Sequence, residues 1–320
     1  MARQPGARTQ LAAAFETVYG TAPVSGYTRL PYASTTLGSS QPLLESELLG
    51  YGRDPLAPVK DAITVDGDLV VPICARTFGF WLKGAFGQPT STEGQDGVGV
   101  PNGVFTHVFQ SGGWTLPSMS IEKQLPQVPR FEMFSGCVVD QIGWQMQRSG
   151  LLTSSVRLIA QGETANTTTQ AGSLADLALQ RFGSFQGSIS RDGTPLGNVI
   201  STEITYGNNI DRIETIRNDG KIDGADPSMA MLQGRTEMRF ADTTLLTQAL
   251  NGESCEMTFA YELPDGESLS FVAHAVYLPR PRVEIQGPQG VQVFFDWQAA
   301  LDPIVGRMCT VTLVNDVATY

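Results

Sequence analysis

Apolar and polar residues alternate with a period of two over much of the chain, the mark of strands with one face buried. In DAITVDGDLVVPICAR (61–76), Ile63, Val65, Leu69, Val71 and Ile73 fall on one face, and Thr64, Asp66 and Asp68 on the other. Pro72 predicts a bulge, bend or edge near the end of this strand. In MLQGRTEMRF (231–240), Leu232, Thr236, Met238 and Phe240 oppose Gln233, Arg235, Glu237 and Arg239. Strands are also predicted over 104–110, 116–125, 131–147 and 151–161. In the second half they fall in CEMTFAYEL, SLSFVAHAVYL, VEIQGPQGVQVFFDW and MCTVTLVND, and on either side of a break at Gly207-Asn208. Helical spacing occurs twice. Phe78, Trp81, Leu82 and Phe86 form one stripe, with Thr77 and Gly87 available as caps; Leu245, Leu246, Ala249 and Leu250 form another within 242–252. The polar, glycine-rich stretch 88–103 reads as a loop, and ETANTTTQAGSL, lacking bulky apolar residues, as a linker.

The halves match in order. Each has a strand, a helix and a closing glycine, running from Gly67 to Gly87 and from Gly234 to Gly252. Then SMSIEKQL (118–125) parallels SLSFVAHA (268–275), 129–146 parallels 281–298, and 154–163 parallels 310–319. The expectation is a mainly β chain with an internal duplication. Its parts are an extended arm over 1–36, a first domain over 37–163, a linker over 164–175 and a second domain over 176–320. The arm (to residue 60) and the 88–103 loop are expected to order fully only on assembly, since neither has the composition for its own core.

Composition narrows the function. At 41% hydrophobic residues the chain can build real cores, and no apolar run approaches the ~20 residues of a membrane helix, which argues against an integral membrane protein. The apolar stretch Leu11–Phe15 is too short for a signal peptide, so synthesis in the cytoplasm is expected. A net charge of −11 argues against gripping nucleic acid by its phosphates. That charge is uneven: residues 1–160 hold 12 acids and 11 bases, and 161–320 hold 20 and 10. Cys74, Cys137, Cys255 and Cys309 form no CxxC and read as buried thiols. His107 and His274 sit in alternating strands with no nucleophile signature near them, and read as structural. The loop 218–226 looks superficially like a calcium loop, but Lys221 takes a ligand position and no closing Glu follows, so a hairpin tip is expected. No catalytic, cofactor or metal site emerges, which points away from an enzyme.

Nearly the whole chain resembles the major tail tube proteins of long-tailed bacteriophages. The strings that carry this are QLAAAFETVYGTAP (10–23), ESELLGYGRDPLAPVKD (45–61), GDLVVPICARTFGFWLKGAFG (67–87) and FTHVFQSGGWTLPSMSIEK (105–123). RIETIRNDGKIDGADP (212–227), RFADTTLL, VYLPRPR, GPQGVQVFFDWQAA (287–300) and TVTLVND continue it. The resemblance implies two tandem tail-tube-type β-sandwich or half-barrel domains, each with one short flanking helix and long inner hairpins. It implies self-assembly into rings, stacked into a hollow tube in the virion that conducts DNA without binding it specifically. With two domains per chain, a trimer would make a pseudo-hexameric ring. A tape measure protein and a tail terminator are the implied partners. Thr64, Asp66, Asp68, Gln233, Arg235, Glu237 and Arg239 would then face the lumen. The alternative is another virion β protein: a tail terminator, a baseplate hub part or a capsid decoration.

Overall fold

The computed structural model describes residues 3–97, 99–241, 243–283, 285, 287 and 290–320. The first half runs β1 (Gln10–Phe15), β2 (Thr28–Arg29), β3 (Ser34–Thr35), β4 (Gly38–Ser40), β5 (Leu43–Leu44), β6 (Val59–Lys60), β7 (Thr64–Pro72) and α1 (Phe78–Phe86). It continues with β8 (Thr90–Gln95), β9 (Pro101–Gln110), β10 (Met119–Leu125), β11 (Arg130–Gln147), β12 (Thr153–Ala160) and β13 (Gly162–Asn166). The second half runs β14 (Gly187–Arg191), β15 (Thr194–Pro195), β16 (Val199–Gly207), β17 (Asp211–Ile213), β18 (Gly224–Asp226) and β19 (Met231–Arg239). It closes with α2 (Thr244–Asn251), β20 (Cys255–Glu262), β21 (Ser268–Tyr277), β22 (Gln292–Ala300) and β23 (Cys309–Asn315). The fold is mainly β, and both helices arise where the sequence has helical stripes.

One pattern of antiparallel pairing occurs twice. In the first half β1 pairs with β2 and β10, β7 with β3, β4 and β12, and β11 with β10, β12 and β13. In the second half β14 pairs with β15 and β20, β19 with β16 and β22, and β21 with β20, β22 and β23. Each half also detaches a two-stranded hairpin, β5–β6 and β17–β18. Gly67 and Gly234 occupy the same place in the pattern, and neither has room for a side chain. A Cβ at Gly67 would lie 2.5 Å from the Leu37 backbone, and one at Gly234 would lie 2.2 Å from the Glu203 carbonyl oxygen.

The pairings shift the correspondence by one strand. They match β10 with β20, β11 with β21, β12 with β22 and β13 with β23, whereas the text similarity sets 118–125 against 268–275. Alternating strands resemble one another in text; only their hydrogen-bonded neighbours tell them apart. The first half also carries an extra hairpin, β8–β9, between its helix and β10.

Three expectations are corrected. The 88–103 stretch holds β8 and the start of β9 of that hairpin; β8 carries no apolar alternation because none of its residues is buried. The arm contains β1, whose Leu11, Ala12, Ala13 and Ala14 are all buried beside β10. A strand buried on both faces shows no alternation, and small alanines hid it. The linker is packed: 164–166 pair with β11, and buried Glu122 accepts hydrogen bonds from Thr169 Oγ1 and Gln170 N, each at 2.6 Å.

The halves share one core. The long strands β11 and β21 each pass from one sheet into another. An inner sheet runs β4–β7–β12–β11–β16–β19–β22; outside it the first half has β2–β1–β10–β11–β13 and the second has β14–β20–β21–β23, extended by β9–β8. Between them Phe86 stacks on Tyr206 at 4.3 Å and Trp144 meets Phe271 edge-on at 5.2 Å.

Candidate functional site

The inner sheet has two chemically opposite faces, because registered antiparallel partners point the same way. Val65, Leu69, Val156, Ile142, Ile204, Leu232 and Phe295 line the core side and are buried. On the other side the register aligns Asp68 with Arg157, Arg157 with Gln141, Glu203 with Arg235, and Arg235 with Asp296. A polar band therefore crosses both halves without interruption. Acids outnumber bases on it: Asp66, Asp68, Glu203, Glu237 and Asp296 against Arg157, Arg235 and Arg239. Its contacts are loose or solvent-exposed. Arg235 lies 3.6 Å from Asp296 and over the Phe294 ring at 4.5 Å, Arg157 lies 3.6 Å from Asp140, and Ser201 donates to Glu237 at 3.2 Å.

The two predicted groups, Thr64, Asp66 and Asp68 and Gln233, Arg235, Glu237 and Arg239, thus lie on one face of one sheet. They are not equally open. The β17–β18 hairpin folds over the start of β7, so Thr64 is half-buried and Asp66 is paired with Arg212 at 2.5 Å. Asp68, Gln233, Arg235 and Arg239 are exposed, while Glu237 is half-buried. Sequence reasoning missed the middle of the band, Gln141, Gln145, Glu203 and Thr205, although its alternation in β11 and β16 carried the same signal.

Within the inner sheet the halves join at β11 against β16, seven residues long, Gln141–Gln147 opposite Gly207–Ser201. Both ends of the inner sheet are open. Among the described residues, β3 and β4 at one end pair with β7 alone, and at the other β22 meets β21 only at Gln298–Ala300. Gln292–Trp297 have no partner on that side among the described residues, and a groove of about 650 Å³ runs over the polar face from Glu203 and Gln233 across Arg235 and Asp296 to Leu278–Pro279.

The titratable groups singled out in sequence have structural partners. Buried His107 contacts Ser91, Asn315 and the Val317 carbonyl, and His274 contacts Glu256 and Thr310. All four cysteines are buried and free, and burial pushes the Cys309 thiol up to about 12. Of the stretch 218–226, residues 218–223 lie in the loop that tips the β17–β18 hairpin and 224–226 form β18; Arg217 bridges Asp219 and Asp223 at 2.9 and 2.7 Å. Among the described residues no cluster of three or more His, Cys, Asp or Glu could hold a metal, and no helix is long and apolar enough to cross a membrane.

The profile of a family described as phage tail tube protein matches residues 6–299, nearly the whole chain. The chain belongs to the phage tail tube protein family. No curated protein matches it. As a tail tube family member it is a structural subunit of the phage tail tube, a virion component whose copies stack into a tube. A sheet with two open ends suits such a subunit: unpaired edges invite pairing with another chain, and closing a sheet into a barrel removes them.

Proposed function

We propose that the chain is an internal duplication of two tube domains and that three copies close into one ring. The observation that carries this is the β11·β16 joint, which joins the end of one half's inner sheet to the start of the next half's. The open edge beside β22 and the open edge of β3–β4 occupy the same two places in the repeat. Pairing them between copies makes every joint around the ring alike. Each half contributes four strand positions to the inner sheet, β4, β7, β12 and β11 or β16, β19, β22 and the β21 end, so six halves give a barrel of about 24 strands. Six chains would double that and widen the barrel about twofold.

The polar band lines the lumen in this reading, with Thr64 and Asp66 at its shielded margin. Its acidic bias keeps DNA sliding, because few phosphates find a cation and little counterion release rewards sticking. Charge varies with three-fold periodicity around the ring, since the second half carries most of the acids. The subunit is made in the host cytoplasm and meets a tape measure protein and a tail terminator during assembly. A cryo-EM map of assembled tubes, with symmetry left free, tests the reading. It should reveal three chains per ring with both halves on the lumen; six chains with one half inside would overturn it.

A further inference from the structure

The hairpins β5–β6 and β17–β18 occupy the same place in the repeat, between the first inner strand of each half and its second. Their surroundings differ. The β17–β18 hairpin and its flanks, 208–230, lie on the first half. Gly220 O accepts from Ile63 N at 3.0 Å, Arg212 pairs with Asp66, and Asn208 Nδ2 donates to the Ala85 and Val139 carbonyls at 3.0 and 2.9 Å. Residues 41–62 touch almost nothing: every one is exposed except half-buried Ser46. Leu43, Leu44, Leu48, Leu49, Tyr51 and Val59 stand in solvent, Leu49 at 93% exposure. So dense an apolar display marks an interaction surface.

Counting along the repeat from Gly67 and from Gly234 identifies the vacant counterpart of the seat that 208–230 fills. Ala62 maps to Met229, and Ala160, which faces Val65 across β7·β12, maps to Ala299. The chain around that point exposes Met229, Leu301 and Ile304, the last at 94%. The second half therefore offers an uncovered apolar end where the first half is covered by its neighbour's hairpin.

We propose that residues 41–62 of one copy seat on this end, Met229 with Leu301–Val305, of the adjacent copy in the same ring. The contact repeats between chains what 208–230 makes within one. It is head-to-tail, and between copies of one three-membered ring it closes on the third copy. This rests on the trimeric-ring reading above, and the test separates the two.

Tubes assembled from the Tyr51→Cys, Met229→Cys chain are treated with a short bis-maleimide and run on a denaturing gel. The native thiols are at most 3% exposed and stay silent. Covalent bands that stop at three chains are expected. A ladder that stops at six keeps the seat and overturns the trimer. A ladder that runs on without a stop, or no linkage in intact tubes, overturns the seat and leaves the trimer standing. In a second arm, the Leu48→Asp, Leu49→Asp chain should unfold at the same denaturant concentration as the parent yet form no tubes; normal tubes would overturn the proposal.

Discussion

The two helices follow equivalent strands, β7 and β19, yet live in different environments. In α1 every residue but Lys83 is buried; in α2 only Leu245 and Gln248 are. The first helix is covered by the inserted β8–β9 hairpin, which joins β23 of the second half, and by the Tyr320 ring, which would lie 2.3 Å from a Cβ at Gly79. The second half has no such insertion, and Leu250 of α2 stays 53% exposed. The hairpins show the reverse: the second half's is seated and the first half's is bare. A duplicated topology thus leaves each half with a different bare apolar surface, and what covers an element depends on its neighbour more than on its own pattern.

The sharpest way to break this comparison is at the helices. Trp81→Ala should cost ~3–5 kcal/mol, the usual range for emptying a fully buried aromatic site. Leu250→Ala, in the last turn of α2, should stay within ~0.5 kcal/mol as an exposed change. Urea unfolding of the unassembled chain measures both; similar losses would mean that α2 is as buried as α1.

The glycines test the equivalence rather than the difference. Gly67→Ala and Gly234→Ala should each cost ~1–3 kcal/mol, because backbone atoms that cannot swing aside occupy the space of the new methyl. Gly193→Ala is a useful contrast: its φ of +74° strains alanine, but nothing lies within 4 Å of the added atom. Thermal melts that left Gly67→Ala unchanged while Gly234→Ala fell would break the match between β7 and β19.

The hairpin seat contributes little by its ion pair alone. Arg212 and Asp66 are partly exposed, so Arg212→Ala should lower stability by under ~1 kcal/mol, an effect that shrinks in high salt. A loss of several kcal/mol, unchanged by salt, would mean that the seat depends on charge and not on its apolar and backbone contacts.

The smallest effect concerns acid. Hydrogen bonding to the Arg76 guanidinium, a two-pronged contact at 2.8 and 2.6 Å that ties the first half to the second, holds the Asp316 carboxyl below its usual range. A depressed folded value means that the contribution is present above the unfolded value and is lost as pH falls through the folded one. Arg76→Met should therefore lower the melting temperature at neutral pH and narrow the drop seen on going from about pH 5 to about pH 2. An identical drop in parent and variant would show that the clamp does not link protonation to folding.

Much of the local structure was legible in the chain. The stripe Phe78, Trp81, Leu82 and Phe86 between Thr77 and Gly87 gave α1 at its observed bounds, and the alternation of 231–240 gave β19 and both of its faces. Periodicity reports which side of an element is buried, and that is a local property. The same signal placed Asp66, Asp68, Arg235 and Arg239 on polar faces, but not on the same one. Their meeting depends on β11·β16, a joint between residues some sixty positions apart whose partners no local pattern names. The buried arm strand β1, the packed stretch after β13 and the one-strand offset of the repeat escaped for the same reason. Hydrogen bonds along a strand edge are sequence-blind, so the identity of a neighbour is settled only when distant segments compete for one shared core.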